Sequence, residues 1–408
     1  MKLEVNRKAL LRAVKTAAAA VRTRTPKPIY QCLRIEAEGR TLKVAGTGVE
    51  LLIEATVDPD HVIVHDGGVT CVPAHKFQEV LASANDESVK IGADDSAIAI
   101  RCGGRFRFPT MAASDFPSPP EVAGTEFTAV LAASDFEDLI RKTGFAIERN
   151  SRRYALECLL FDAVPANNSN EGQLLVVSTD GRRLAKTECH SEQMTCDNPE
   201  GQTLVPAASM STVAAIFRGS APEDKLTVRT DKNHLLVTGL SARAWLRLGE
   251  GRYPRWRDFM SQPGVGSIVD IDIDPFIQAL TQAIIVSSDA NAKTTFALSA
   301  DQLEIKRETT DGRFTTTLQV ASRPGSPAES VTFYLDPQYV KEAMATCEGT
   351  VRMQVTSPES IMMFYAGENQ ETLHGIMPLR GDAKPVKVPV AAEAAGATGV
   401  TEAAGVTA

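Results

Sequence analysis

Leu174-Leu175-Val176-Val177-Ser178-Thr179-Asp180-Gly181-Arg182-Arg183 decides the fold, because the chain carries variants of this stretch three times. An apolar run ends in a Thr beside a Gly-containing turn, as the first arm of a hairpin does. Upstream, Leu42 to Val44 leads to Thr47-Gly48; downstream, Leu303 to Ile305 leads to Thr310-Asp311-Gly312. The three Thr residues are 132 and 131 positions apart. A second landmark follows each copy: Val72-Pro73-Ala74, Val205-Pro206-Ala207 and Leu335-Asp336-Pro337, with Phe77, Met210 and Val340 five positions on. Solenoid repeats are a few tens of residues long, whereas a period near 130 is that of a whole domain. The chain therefore reads as three copies of one domain.

Each copy opens on an expected amphipathic helix. Asn6, Ser134 and Asp274 are the expected caps, with Glu137 completing a capping box and Pro275 at the first helical position. Leu10, Val14 and Val21, then Phe136, Ile140, Thr143 and Ile147, then Phe276, Leu280 and Ile284 follow at helical spacing. A second helix is expected after each Pro landmark, and most of the rest alternates with period two. The unit is two helices on antiparallel sheet, an α+β domain. Segments rich in Pro, Gly or Ser at Pro117–Val122 and Ser261–Gly266 divide the chain into residues 1–122, 123–263 and 264–382. Residues 383–408 turn to Ala, Gly, Val and Thr and are expected to form a disordered tail.

Composition narrows the function. Seven scattered cysteines without a Cys-x-x-Cys pair argue for a reducing compartment and against a zinc site or disulfide frame. Met1 leads straight into an alternating strand and no run reaches the ~18 apolar residues of a membrane span, so a cytoplasmic protein is expected. The net charge is −8, yet residues 1–27 carry eight basic side chains against Glu4 alone. Arg141, Lys142, Arg149, Arg152 and Arg153 form a second basic cluster.

No catalytic constellation emerges. His61 and His65 have the i, i+4 spacing of a helical metal site but flank a β-branched run. Walker, Rossmann and Gly-x-Ser-x-Gly motifs are missing. Thr179-Asp180-Gly181-Arg182-Arg183 could bind a phosphate or carboxylate substrate, but it lacks a nucleophile and its turn recurs in the third copy. A scaffold or threefold structural ring explains the chain better than an enzyme does, and neither a cofactor nor a metal is expected.

Five segments then carry a resemblance: Val72-Pro-Ala-His-Lys-Phe, Phe106-Arg-Phe-Pro-Thr-Met-Ala-Ala-Ser-Asp-Phe-Pro, Ser178-Thr-Asp-Gly-Arg-Arg-Leu-Ala, Gly251-Arg-Tyr-Pro and Met377-Pro-Leu-Arg. In this order and spacing, residues 1–380 resemble the bacterial DNA polymerase III beta subunit family, the sliding clamps. The resemblance implies a non-catalytic subunit whose head-to-tail homodimer encircles duplex DNA with helices inside and sheets outside. Arg24, His75, Arg149, Arg153 and Tyr154 match the family's DNA-contacting positions, with Arg12, Lys15 and Arg141 as weaker additions; at His75 the family often has Arg or Lys. Phosphate attraction there is independent of sequence and permits sliding.

The resemblance also implies a groove for short apolar motifs of the replicative polymerase alpha subunit, the clamp loader, other polymerases, and mismatch-repair or ligase proteins. Its matching positions are Leu156, Thr179, Gly181, Arg182, Arg183, Leu184, Pro254, Phe259, Ile361, Met362, Ile376, Met377, Pro378, Leu379 and Arg380. Ring closure is implied at an edge strand, Arg101 to Met111, with Lys76, Arg105, Arg107 and Phe108 meeting Ile285, Val286 and the strand Gly312-Arg-Phe-Thr-Thr-Thr-Leu of a second subunit. That strand has no carboxylate, so closure is expected to rest on strand pairing and apolar contact.

Overall fold

The computed structural model describes all residues except 123, 167–168, 199–200, 222, 240, 261–264, 287–292, 324–329 and 381–408. The expected tail therefore lies outside the described residues.

Six helices stand among the described residues: α1 Arg7–Ala18, α2 Ala74–Ser83, α3 Ala133–Thr143, α4 Ala207–Ile216, α5 Ile273–Ile285 and α6 Pro337–Met344. They pack in pairs, α1 on α2, α3 on α4 and α5 on α6. Each pair covers its own apolar core, centred on Leu10, Val14 and Phe77, on Phe136, Ile140 and Met210, and on Phe276, Leu280 and Val340. Leu10 and Val14, Phe136, Ile140 and Thr143, and Phe276 and Leu280 of the expected stripes form these buried faces, whereas Val21 and Ile147 lie beyond the ends of α1 and α3 and Ile284 is half-buried.

Two of the three expected caps are corrected. Asn6 does cap α1, accepting from the Ala9 amide at 3.1 Å. Ser134 and Asp274, however, lie inside their helices, and Pro275 is the third residue of α5. The reason is that each helix continues directly from a strand, and its first amide is satisfied by a neighbouring backbone carbonyl. Arg7 donates to Glu87 at 2.9 Å, Ala133 to Asp224 at 2.8 Å and Ile273 to Gly349 at 3.0 Å. With that donor already paired, α3 and α5 do without a side-chain cap. Glu137, freed from a capping box, pairs with Arg218 at 2.8 Å.

The sheets ignore the boundaries of the three copies. In one nine-stranded sheet, Ala242–Arg247 of the second copy pairs antiparallel with Leu51–Val57 of the first. In the other, Arg183–Ser191 of the second copy pairs with Thr372–Ile376 of the third. Each sheet joins a five-strand set from one copy to a four-strand set from its neighbour. The ends of the chain leave one set of each kind. A five-stranded sheet ends at Arg105–Pro109, and a four-stranded sheet ends at Arg313–Gln319.

The edge strand is shorter than expected. Gly103, at φ +63°, turns the chain between Ala97–Arg101 and Arg105–Pro109, so Arg101 belongs to the inner strand of that hairpin. Gly46 marks a close approach of another kind: a Cβ there would lie 2.1 Å from the Ala17 carbonyl oxygen, so α1 can rest on its sheet only over a glycine.

Candidate functional site

The seam between the second and third copies is built on the turn quoted first. Asp180 accepts hydrogen bonds from the amides of Arg182 and Arg183 at 2.9 and 3.0 Å. Gly181 takes φ +82°, which a side chain would oppose. Thr179 donates through Oγ1 to the Arg183 carbonyl at 2.6 Å and closes the turn. From the third copy, Met377 donates its amide to the Arg182 carbonyl and Leu379 to the Tyr334 carbonyl, both at 2.8 Å.

Arg183 is consumed by this seam. Its Nε meets Asp180 at 3.0 Å, Nη1 meets Glu342 of α6, and Nη2 donates to the Phe145 carbonyl at 3.0 Å. The guanidinium lies over the rings of Tyr339 and Phe145, 4.5 and 5.2 Å from their centres. All three nitrogens are used, so Arg183 joins the two copies and has little left for a ligand. Arg182 points outward, and a hydrogen bond with Tyr339 raises its already high pKa.

Next to the turn lies a cavity of 540 Å³ lined by Leu156, Tyr253, Pro254, Arg153, Arg252 and Arg255. Its floor is a small apolar cluster that includes Leu184 and Trp256. Tyr253 is buried and donates through its hydroxyl to the Val177 carbonyl at 3.3 Å, which holds the Gly251-Arg-Tyr-Pro segment in place. Met377 is 42% exposed, and Pro378, Leu379 and Ile361 are half-buried. Ile361 packs on Gly375, where a Cβ would meet its Cδ1 at 2.6 Å.

Leu156 and Pro254 line this cavity and Leu184 lies in the apolar cluster beneath it; Thr179, Gly181 and Arg182 form the seam turn, Met377 bonds to it, Pro378 and Leu379 follow, and Ile361 rests on Gly375. Met362 and Ile376 are corrected: both are buried in the third core and present no surface. Phe259 is 55% exposed and lines neither cavity beside Pro254, and Arg380 is exposed at the end of the described chain. Tyr253, Arg252 and Arg255 were missed in the sequence, although the Gly-Arg-Tyr-Pro segment was singled out there.

The basic residues divide by environment. Arg24 is exposed between α1 and the 3-10 turn Pro28–Gln31. Arg149 and Arg153 are exposed on a loop braced by Ser151, which donates to Glu148 and Glu157 at 2.6 Å each. Tyr154 is 41% exposed. Arg153 also lines the groove, so the two basic functions assigned from sequence meet at this loop. His75 is exposed on α2 with Glu79 at 3.3 Å, which offsets any positive charge it acquires. Arg12 and Lys15 are exposed on α1. Arg141 instead donates to the Thr346 carbonyl at 3.0 Å across the second seam and pairs with Asp138.

At the two sheet ends, Arg105 and Arg107 are exposed on one face of their edge strand while Phe106 and Phe108 stack at 6.4 Å on the other. Lys76 is exposed on α2. Ile285 is 75% exposed at the end of α5, and Val286 follows it half-buried. Carboxylates do stand near Arg313–Gln319: Glu304 and Glu308 are exposed on the adjacent strand, with Glu308 paired to Arg313.

No group of three metal-ligating side chains occurs among the described residues. Burial pushes the thiols of Cys71, Cys158 and Cys189 up to about 12, which makes poor nucleophiles of them. No described helix is long and apolar enough to cross a membrane.

Comparison with known proteins settles the family. The family models of the DNA polymerase III beta subunit match twice, the N-terminal domain over residues 1–120 and the central domain over residues 130–255. The chain belongs to the DNA polymerase III beta subunit family. Beta sliding clamps of Pseudomonas putida and Escherichia coli are 25% and 26% identical to it, each over 93% of this chain and 100% of the relative. A DNA polymerase sliding clamp from Pseudomonas aeruginosa, solved with ligand, superposes with a TM-score of 0.81 at 21% identity, covering 93% of this chain and 100% of that one. The Bacillus subtilis clamp gives 0.83 at 19% identity, with 94% and 100% covered. This member of the beta subunit family therefore has the clamp fold, and its function is that of a sliding clamp rather than a catalytic polymerase subunit.

Proposed function

We propose that two copies of this chain close head to tail around duplex DNA, so that the clamp slides without reading sequence and tethers other replication proteins in the cytoplasm. One observation carries the proposal. Both internal seams are nine-stranded sheets made from a five-strand and a four-strand set, and the chain ends in one unpaired set of each kind. Pairing Arg105–Pro109 of one copy with Arg313–Gln319 of another repeats the internal seam, removes both sheet edges and makes a ring of six similar domains, divided at residues 122 and 263. Lys76, Arg105, Arg107, Phe108, Ile285 and Val286 belong to that junction. Glu304 and Glu308, one strand behind the edge, supply the carboxylates that the edge strand lacks.

Within the ring, Arg24, His75, Arg149, Arg153 and Tyr154 are the proposed DNA contacts, with Arg12 and Lys15 beside them. A net acidic protein can hold DNA when its basic side chains face inward, and topology rather than affinity prevents escape. The groove at the second seam takes the short apolar motif of a partner: the polymerase alpha subunit, the clamp loader, another polymerase, or a mismatch-repair or ligase protein. Leu156, Pro254, Met377 and Leu379 give it adaptable apolar walls, and Arg182 orients the incoming backbone. A motif this small is expected to bind at about micromolar strength.

Two measurements test the reading. Loaded clamp should stay on circular DNA and be lost when the circle is cut; equal loss from both would refute encirclement. A labelled Gln-Leu-Ala-Leu-Phe peptide should bind and lose about tenfold in affinity with Met377→Ala, since an anchoring methionine contributes roughly 1–2 kcal/mol. Equal binding to both proteins would remove the groove assignment.

A further inference from the structure

Several backbone bonds of the second seam recur at the first. Arg247 donates its amide to the Glu50 carbonyl at 2.9 Å, as Met377 does to Arg182 at 2.8 Å. Gly249 donates to the Leu204 carbonyl at 2.7 Å, as Leu379 does to Tyr334 at 2.8 Å. Leu51 pairs with Leu246 in the sheet, as Arg183 pairs with Ile376. Thr47 and Thr179 close the two turns through Oγ1. Tyr30 is the third residue of its 3-10 turn, as Leu156 is of the other. Over this duplicate frame lies a cavity of 440 Å³ lined by Tyr30, Val49, Glu50, Leu52, Trp245 and Arg247, and by Pro117 and Pro120 of the segment joining the copies.

The backbone frame recurs, but the charge is reversed at two positions. Glu50 stands where the second seam has Arg182, and Glu250 where it has Arg380. Among the described residues, Glu50 has no cation within ion-pair distance. Arg247, the one arginine on the wall, leans toward Glu250 at 3.8 Å in an exposed and weak pair. Val49 is 69% exposed and the largely buried Trp245 contributes to the wall, so apolar surface and an aromatic side chain line the same cavity as the free carboxylate. Lys27 already sits 5.7 Å from the centre of the Tyr30 ring, an intramolecular example of the contact that a cation would make here.

We propose that the first seam is a second peptide-docking site, selective for a short extended segment with a bulky apolar side chain next to lysine or arginine. The apolar side chain rests on Leu52 and Val49, and the cation lies between Glu50 and the face of Trp245. This deepens the proposed function and rests on its reading of the second seam as a peptide groove. A partner with motifs of both kinds would engage two seams of one subunit, and the second contact would be intramolecular and favoured by effective concentration.

The test compares two labelled peptides on the full chain, Lys-Leu-Phe-Lys and Gln-Leu-Ala-Leu-Phe. The lysine peptide is expected to bind saturably, to weaken at least tenfold with Glu50→Lys and at least fivefold with Glu50→Gln, and to be unchanged by Met377→Ala. Glu50→Gln removes only the charge and keeps the test readable should the lysine variant fold poorly. The second peptide should respond to Met377→Ala and ignore both Glu50 variants. Absence of saturation, loss with Met377→Ala, or an equal loss with the distant Glu359→Lys would overturn the proposal, the last by showing attraction to bulk negative charge. If the lysine peptide fails while Gln-Leu-Ala-Leu-Phe still binds, only the first seam falls. If Gln-Leu-Ala-Leu-Phe alone fails, it is the reading of the second seam that is wrong.

Discussion

His374 illustrates what burial does to a single residue. It is fully buried in Thr372–Ile376, the strand that joins the second copy to the third, and burial, with Lys142 nearby, lowers its pKa to about 3. Thr346 spends its proton on the Ala343 carbonyl at 2.7 Å, so its Oγ1 accepts from the ring at 3.1 Å and sets the proton on Nε2. Nδ1 is then left without a partner. The folded pKa lies below the unfolded one, so the unfolded chain binds one proton more at acid pH. Stability should be insensitive to this group above pH ~6.5 and fall by about 1.4 kcal/mol per pH unit below it, until the folded value is reached. Urea unfolding of the wild type and of His374→Gln at several pH values would check this: the variant should lose about one proton's worth of slope between pH 6 and 4. An unchanged slope would show that His374 is not the group involved. Nothing in the sequence around His374 marks it as buried, because polar Thr372 and His374 flank Leu373 as on a half-exposed strand, although all five residues of the strand are buried.

At the scale of elements, the Arg183 clasp couples the hairpin turn of one copy to α6 of the next. Although burial raises the Glu342 carboxyl, hydrogen bonds from Arg183 and Gln338 outweigh it and hold the group below its ordinary value. The pair therefore contributes above the unfolded carboxylate range and is lost as pH falls through the lower folded value. Arg183→Lys keeps the charge but loses the planar fork and the stacking on Tyr339 and Phe145. It should cost the seam about 1–2 kcal/mol, discounted because Glu342 is partly exposed. Hydrogen exchange would report this as faster exchange confined to Thr372–Ile376 and its partner strand, and undiminished protection there would sink the clasp. The sequence identified Arg183 as part of the site and misassigned its role, because its partners Phe145, Tyr339 and Glu342 are 38 to 159 positions away. The caps expected at Ser134 and Asp274 failed for a related reason: the carbonyls of Asp224 and Gly349 that replace them lie far along the chain.

For the whole molecule, the unpaired five-strand and four-strand sheets make a prediction about mass. Light scattering should give twice the single-chain mass, and the dimer should survive salt, since strand pairing and the apolar surface of Phe108, Ile285 and Val286 are not screened while exposed ion pairs are. A monomer at all concentrations would mean that closure needs a loader or DNA. The threefold repeat, the α+β unit and most of each helix's buried stripe are legible in the chain alone, because apolar periodicity and turn chemistry are local properties. Folding was needed to show that the sheets cross from copy to copy, that Met362 and Ile376 are buried in the core, and that the first seam repeats the backbone frame of the second with charge reversed at two positions. Those features depend on strands such as Leu51–Val57 and Ala242–Arg247 meeting across most of two domains, and long-range pairing leaves no local signature in either strand.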